Sequence, residues 1–222
     1  MTEQQLAFWD LIEVFDKDGL LPYVMLIGSW AEYIYQLELK SGFKSNLRTR
    51  DADFLYLNIN LPKDKVFNIA KSMGEKGFVY TEDSISGVGK FLKEDLLELE
   101  FITRVLGQGR SINEIKSLKI RAEGLRTVNM LAAYPLRINT STLYSGIINS
   151  VITVPEPEAY IVQKLLANPT RTPTFKQEKD IQAVRELLGH VNKRRVHDIL
   201  VGLTKKEMAA VNDTAERNFL SL

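Results

Sequence analysis

Cysteine is missing from this sequence of 222 residues, and histidine occurs twice, as His190 and His197. The lack of cysteine excludes disulfide bonds and thiolate metal sites, and the two histidines are not spaced as metal ligands. Long apolar runs are missing too, because no stretch approaches the roughly 18 uncharged apolar residues that a membrane-spanning helix needs. The start of the chain, MTEQQLAFWD, is acidic and amphipathic, unlike a signal peptide. We therefore expect a cytoplasmic protein without a membrane partner.

A clear excess of one charge is missing as well, since 29 basic residues face 28 acidic residues and the formal net charge is +1. This balance gives no reason to expect a large nucleic-acid footprint. A locally basic face stays open, because net charge does not describe how charge is distributed. Apolar residues make up 45% of the chain, which is ordinary for a globular protein. The length fits one large domain or a domain with a smaller appendage.

The spacing of the apolar residues predicts a mixed sheet followed by a group of helices. Short apolar runs predict strands, which cover 23–27, 54–59, 78–81, 87–91, 96–103, 118–120, 136–139 and 147–154. Apolar residues three or four positions apart predict helices, which cover 6–15, 31–39, 63–76, 124–134, 158–166, 175–188, 194–201 and 205–218. A turn is expected at 107–110, and the prolines at 155 and 157 mark a boundary. We predict an α+β fold with an α/β mixed sheet, in which residues 1–154 form the sheet domain and residues 155–222 a helical domain.

Two aspartates stand at the head of a strongly apolar predicted strand. Side chains alternate between the faces of a strand, so Asp51 and Asp53 point the same way. Two neighbouring carboxylates repel each other when both are ionised, and a divalent cation between them removes that cost. Hard oxygen ligands suit Mg²⁺, with Mn²⁺ as an alternative. The sequence therefore predicts a metal site here, and a strand-capping turn with exposed acids is the competing interpretation.

A third carboxylate would complete a site for two metal ions. The predicted strand 96–103 offers Glu98 and Glu100 on one face. If it lies beside the aspartate strand, the two backbones are about 4.8 Å apart, which suits metal ions roughly 3.5–4 Å apart. We favour Glu100, because it is nearer the end of the strand and is enclosed by Leu99 and Phe101. Glu98 remains a competitor.

Gly28 and Ser29 form a turn between a predicted strand and a predicted helix. Such a turn presents backbone N–H groups and a hydroxyl at the positive end of a helix dipole, which is a cradle for phosphate. In the competing interpretation Ser29 is an ordinary helix N-cap. The Asp-x-Asp pair about twenty residues later makes the phosphate interpretation more specific.

Gly28-Ser29, Asp51-x-Asp53 and a later strand carboxylate together resemble the signature of the DNA polymerase beta-like nucleotidyltransferase superfamily. The run from Arg48 to Asp53, Arg-Thr-Arg-Asp-Ala-Asp, is similar to Arg-x-(Ser/Thr)-x-Asp-x-Asp in a bacterial branch that contains abortive-infection and toxin–antitoxin nucleotidyltransferases. In this chain Thr49 follows Arg48 directly, one position earlier than in that pattern. The resemblance extends to a helical segment with Lys164 and Asp180.

The resemblance implies an enzyme that transfers a nucleoside monophosphate from an NTP to an acceptor with the help of Mg²⁺. It assigns the metal to Asp51, Asp53 and Glu100. Lys164 and Asp180 join these three as catalytic residues, and the nucleotide is assigned to Gly28, Ser29, Arg48 and Thr49. RNA such as the end of a tRNA, a protein side chain or a small molecule is the acceptor. A toxin of this branch would have an antitoxin protein as partner.

Two alternatives to this interpretation stay open. Lys164 is a solvated helix lysine in the first, and Asp180 pairs with Lys176 or Lys179 on a helix surface. In the second, the chain is a catalytically inactive relative that binds nucleotide or a partner protein without turnover.

Overall fold

The computed structural model of the protein describes residues 1–39, 41–45, 49–57, 65–105, 111–143 and 149–222. Its helices are α1 (Glu3–Lys17), α2 (Ser29–Glu38), α3 (Ile69–Glu75), α4 (Pro157–Ala167), α5 (Thr174–Leu188), α6 (Lys193–Val201) and α7 (Lys205–Arg217). Its strands are β1 (Val24–Ile27), β2 (Asp51–Tyr56), β3 (Val79–Glu82), β4 (Gly89–Lys93), β5 (Leu97–Arg104), β6 (Ser111–Ile115), β7 (Ile120–Leu125), β8 (Pro135–Asn139) and β9 (Val151–Pro155). The predicted fold class, a mixed sheet followed by helices, is confirmed.

A seven-stranded sheet has the strand order β1-β2-β5-β4-β3, and β7 pairs with β5 and carries β6. Strands β2 and β5 run parallel, with Asp51 opposite Glu98 and Asp53 opposite Glu100. Strand β1 is antiparallel to β2 and places Ile27 opposite Asp53. Strands β8 and β9 form a separate two-stranded sheet. The parallel pair therefore brings the two acidic strand segments side by side.

Helix α1 covers one face of the large sheet. It begins with a capping box, in which Thr2 and Gln5 each accept a hydrogen bond from the other's backbone N–H group. Further along α1, the ring of Phe15 lies 4.9 Å from that of Phe54 in β2 and 5.8 Å from that of Phe101 in β5. Because side chains alternate along a strand, the acidic side chains of β2 and β5 lie on the face turned away from α1.

Helix α4 is the centre of the C-terminal helices. It contacts α5, α6 and α7, and most of its side chains are buried. The hydroxyl of Tyr35 in α2 donates to the carbonyl oxygen of Pro155 at 2.7 Å, and one cluster of buried apolar residues includes members from α1 through α7. The division into domains 1–154 and 155–222 stays a prediction, and residues from both parts contribute to this cluster.

Residues 111–134 fold differently from the prediction of a strand at 118–120 and a helix at 124–134. Strands β6 and β7 pair in antiparallel fashion there, and a short 3-10 helix covers Leu131–Ala133. Burial alternates along β7, which is the period of a strand. Gly124 lies in this strand. A Cβ atom at that position would lie 2.5 Å from Ser111 Oγ, so the strands approach too closely there for a side chain. Strand pairing takes the first two residues of the predicted helix, and turns and the 3-10 helix take most of the rest.

Smaller differences concern helix α3 and two loops. The helix begins at Ile69 instead of residue 63, and Lys65 to Asn68 are not helical. Residues 58–64 and the predicted turn at 107–110 lie outside the described residues.

Within the part of the chain that the structure describes, no helix is long and apolar enough to cross a membrane.

The aromatic contact between α1 and the sheet generates a stability prediction. Phe15→Ala removes a fully buried ring that packs on Phe54 and Phe101, so the free energy of unfolding should fall by about 3–5 kcal/mol. Phe219→Ala is the matched control, because Phe219 is 96% exposed and should change it by less than about 0.5 kcal/mol. Urea denaturation measures both. Equal losses in the two variants would contradict the assigned core.

Candidate active site

Four carboxylates share the face of the sheet opposite α1. The register of β2 and β5 places Asp51 beside Glu98 and Asp53 beside Glu100, and residues directly opposite in a sheet project from the same face. Asp51 is exposed, and the other three are half-buried. The structure thus brings together both aspartates and both candidates for the third carboxylate.

Gly28 lies directly against this cluster. It has φ +70° and is the N-cap of α2, so Ser29 is the first helical residue and not the N-cap. A Cβ atom on Gly28 would lie 2.6 Å from Asp53 Oδ2, which is why glycine is needed here for close approach as well as for its dihedral angle. The N-cap of α2 makes no side-chain hydrogen bond. The start of α2 therefore lies against Asp53, and its N-cap residue has no side chain to pair with the first helix N–H groups.

The electrostatics around Asp53 suit a cation. Burial, followed by the charges of Glu100 and Asp51, raises the pKa of Asp53 to about 7, and Lys164 and Arg171 act in the opposite direction. A carboxylate whose pKa is raised in this way carries uncompensated negative charge when ionised. Oxygen ligands in a negative, half-buried setting fit Mg²⁺ or Mn²⁺.

Glu100 has a partner that the sequence did not reveal. Lys90 Nζ in β4 lies 2.6 Å from Glu100 Oε1 and 2.5 Å from Glu98 Oε1. Burial raises the pKa of Glu100, and the ammonium group of Lys90 partly offsets that rise. Among the described residues, no group of three or more acidic or histidine side chains is arranged as a metal site. The assignment of Glu100 as a metal ligand stays a prediction.

Lys164 and Asp180 form a buried ion pair. Lys164 is 5% exposed and Asp180 is 3% exposed, and Lys164 Nζ donates to Asp180 Oδ1 at 2.6 Å. Arg171 Nε donates to the other oxygen, Oδ2, at 3.1 Å. Lys164 is therefore not a solvated helix lysine, and its partner Asp180 does not lie on the helix surface. The charges of Lys164 and Arg171 both lower the pKa of Asp53, so this ion pair acts electrostatically on the carboxylate cluster.

Lys179 in α5 is a half-buried cation whose charge interacts with that of Asp51. Burial and the charge of Lys164 lower its pKa, and Glu32, Asp51 and Asp180 oppose this shift. From the sequence, Lys179 was one of two candidate surface partners of Asp180. Its position one residue before Asp180 on α5 gives no signal that it is half-buried.

Of the remaining predicted nucleotide-binding residues, Thr49 can be placed. Its hydroxyl donates to Asp51 Oδ2 at 3.1 Å, so it orients the exposed aspartate. Arg48 lies outside the described residues. The nucleotide-binding role of both residues stays a prediction.

Sequence reasoning missed two further buried polar residues. Glu32 in α2 is 5% exposed and accepts a hydrogen bond of 2.5 Å from the hydroxyl of Tyr160 in α4. The available signal was the spacing of Glu32 three residues after Ser29, which puts both on one helix face. Nothing in the sequence pointed to Tyr160, because its partner is 128 residues away.

Comparison with known proteins agrees with this geometry. Residues 7–208 match a family model described as nucleotidyltransferase. The chain belongs to the nucleotidyltransferase family. As a member of this family it is an enzyme of the nucleotidyltransferase class, which confirms the superfamily resemblance and not the toxin–antitoxin branch. No sequence among curated proteins matches this nucleotidyltransferase.

Two solved structures resemble the nucleotidyltransferase over nearly its whole length. An antigenic nucleotidyltransferase-like protein from Paracoccidioides brasiliensis has a TM-score of 0.52 at 14% identity, over 98% of this chain and 90% of that chain. ANT(2")-Ia in complex with adenylyl-2"-tobramycin has a TM-score of 0.51 at 14% identity, over 96% of this chain and 98% of that chain. At such low identity the likeness establishes a shared fold.

The aspartate pair generates a binding prediction. Asp51→Asn combined with Asp53→Asn should abolish Mg²⁺-dependent NTP binding, because amide groups are poor Mg²⁺ ligands and the pair loses its charge. The fold should survive, since the substitutions keep the side-chain shape and relieve like-charge repulsion. Titration calorimetry with a non-hydrolysable NTP analogue and Mg²⁺ measures binding, with Asp213→Asn on α7 as control. Wild-type affinity in the double variant would exclude these residues from the metal site.

Gly28 permits a controlled test of close approach. Gly28→Ala should displace the Asp53 carboxylate and strain the backbone, which costs about 1–3 kcal/mol of stability. Gly19→Ala is the control, because Gly19 has φ +69° and nothing within 4 Å of the added Cβ atom. A melting curve and the same calorimetric titration compare the two variants. We expect both to lose stability and only Gly28→Ala to lose Mg²⁺-dependent NTP affinity; equal affinities would make Gly28 merely a turn residue.

Proposed function

We propose that this nucleotidyltransferase uses Mg²⁺ to transfer a nucleoside monophosphate from an NTP to a hydroxyl group of an acceptor. The observation that carries the proposal is the combination of three features: the Asp51 and Asp53 carboxylates, the start of α2 at Gly28, and the buried Lys164. The first feature suits a divalent cation, and the other two suit a triphosphate.

In this proposal Asp51 and Asp53 hold the metal. Bound Mg²⁺ would neutralise the triphosphate and help to fix its geometry. Glu100, on the same face of the neighbouring strand, either completes the metal site or takes the proton of the acceptor hydroxyl. Lys90 holds Glu100 in place for either role, because its ammonium group contacts Oε1.

The protein's own groups bind the rest of the nucleotide. Ser29 and the first N–H groups of α2 grip the triphosphate at the positive end of the helix dipole. Lys164 neutralises the negative charge that builds up as the acceptor oxygen attacks the α-phosphorus atom and pyrophosphate leaves. Asp180 and Arg171 keep the Lys164 side chain in position through their hydrogen bonds. Such chemistry depends mainly on positioning and electrostatics.

RNA, such as the end of a tRNA, is the acceptor that we propose. Support comes from the run between Arg48 and Asp53, which resembles toxin-like nucleotidyltransferases. A net charge of +1 favours a small RNA contact over a large one. A protein side chain or a small molecule is the alternative, and the adenylylated tobramycin bound to ANT(2")-Ia exemplifies a small-molecule product in that protein. If the enzyme is a toxin, an antitoxin protein is its partner.

One labelling experiment tests the acceptor. The protein is incubated with each α-³²P-labelled NTP, Mg²⁺ and total RNA, and gel electrophoresis follows the label into RNA or protein while chromatography follows it into small molecules. We expect label in RNA from one preferred NTP. Label in protein or in a small molecule would replace RNA as the acceptor. Intact NTP and unlabelled macromolecules under all conditions would count against the proposed transfer to RNA or protein.

The buried lysine generates a kinetic prediction. Lys164→Met keeps the aliphatic stem and removes the charge, so turnover should fall by about 10²–10³-fold, as when other preorganised transition-state contacts are lost. Lys176→Met, an exposed lysine at the start of α5, is the matched control and should retain full turnover. Pyrophosphate release measures both, with melting curves alongside. Unchanged turnover in Lys164→Met would restrict the active site to the first 154 residues.

A further inference from the structure

A buried polar chain connects the phosphate-binding helix α2 to Lys164. Glu32 in α2 accepts from the hydroxyl of Tyr160 at 2.5 Å. The Nζ atom of Lys164, four residues after Tyr160 on α4, lies 5.2 Å from the centre of the Tyr160 ring. Lys164 then donates to Asp180 on α5. One tyrosine side chain thus contacts both the α2 carboxylate and the lysine.

Burying the polar side chains of this network costs free energy. Glu32 is 5% exposed and Tyr160 is 1% exposed, and burying a carboxylate is unfavourable unless it is paired. Burial raises the pKa of Glu32, while Lys164, the Tyr160 hydrogen bond and Lys179 lower it and Glu186 adds to the rise. Lys164 is the largest favourable charge that Glu32 meets.

The tyrosine transmits the effect of the carboxylate to the lysine. A phenol that donates a hydrogen bond to an anion becomes more electron-rich, so its ring face attracts a nearby cation more strongly. Lys164 therefore experiences Asp180 on one side and the polarised Tyr160 ring on another. These contacts fix the ammonium group of Lys164 between Asp180 and the Tyr160 ring.

Simple attachment of α2 to the C-terminal part does not require this arrangement. Tyr35, also in α2, already makes such a connection through its 2.7 Å hydrogen bond to the carbonyl oxygen of Pro155. That bond involves a neutral acceptor. The Glu32–Tyr160 bond differs in two ways. Its acceptor is a carboxylate, and the ring of its donor lies beside the Lys164 ammonium group.

We propose that Glu32 and Tyr160 are positioning residues that hold Lys164 in its catalytic location and couple it to the phosphate-binding end of α2. The proposal rests on the transition-state role of Lys164 proposed above. Neither residue touches the reacting atoms. Both act through the lysine.

A double-mutant cycle tests the coupling. Tyr160→Phe keeps the ring and removes the hydrogen bond, and Glu32→Gln keeps an acceptor oxygen and removes the charge. Tyr35→Phe is the matched control, since it also deletes one buried tyrosine hydroxyl that links α2 to the C-terminal part of the chain. Each substitution is made in wild type and in Lys164→Met. Pyrophosphate release with the preferred NTP, Mg²⁺ and total RNA gives kcat and KM below the melting temperature of every variant.

We expect Tyr160→Phe to lower kcat on the order of 10-fold with KM within about 2-fold, as for a misplaced catalytic group. Glu32→Gln should show a smaller loss in the same direction, and Tyr35→Phe should change kcat little. In the Lys164→Met background, Tyr160→Phe should cause no further loss, because residues that act as a unit are not additive.

The outcomes separate this inference from the proposed function. An equal loss from Tyr160→Phe in both backgrounds, or an equal loss from Tyr35→Phe, would show a merely structural role and overturn the inference. If Lys164→Met loses turnover and Tyr160→Phe does not, the inference alone fails. Full turnover in Lys164→Met would remove the proposed role of the lysine and the inference with it. Should Tyr160→Phe not fold, the same cycle with Glu32→Gln decides.

Discussion

Asp51, Asp53, Glu98 and Glu100 lie side by side on one face of two parallel strands, where their negative charges repel one another. Positively charged residues nearby reduce this repulsion. Lys90 pairs with both glutamates. Burial and the acidic neighbours raise the pKa of Asp53, and the positive charges of Lys164 and Arg171 act in the opposite direction. The remaining negative charge, at the aspartates, is where we propose that a divalent metal ion binds.

Two separate parts of the chain supply the groups around these carboxylates. The sheet supplies the acids and the turn at Gly28, while α4 and α5 supply the ion pair of Lys164 and Asp180. The proposed site requires that these two parts be packed together. Buried apolar residues from α1 through α7 form one cluster, which joins them.

Buried ion pairs such as that of Lys164 and Asp180 are weak sources of stability, because desolvation offsets most of the attraction. We attribute the burial of this pair to the function proposed for Lys164. Glu32 and Tyr160 are comparable, because packing alone requires neither a buried charge at position 32 nor a buried hydroxyl at position 160. In the role that we propose for Lys164, a cation that is desolvated and held on several sides has few alternative positions, which is the physical basis of preorganisation.

Local patterns in the sequence were sufficient for the strands and helices with clear periods, for the common face of Asp51 and Asp53, and for the Gly28–Ser29 turn, because each depends on neighbours within a few residues. The roles of these residues stay predictions. No element was predicted at β6, and β7 was predicted only at its first residue, because both strands depend on pairing with each other. Nothing in the sequence indicated Lys90 or Tyr160, and Glu32 had only its spacing from Ser29 as a signal. Their partners are set by strand register and by helix packing across up to 128 residues, and such distant contacts exist only once the tertiary structure has formed.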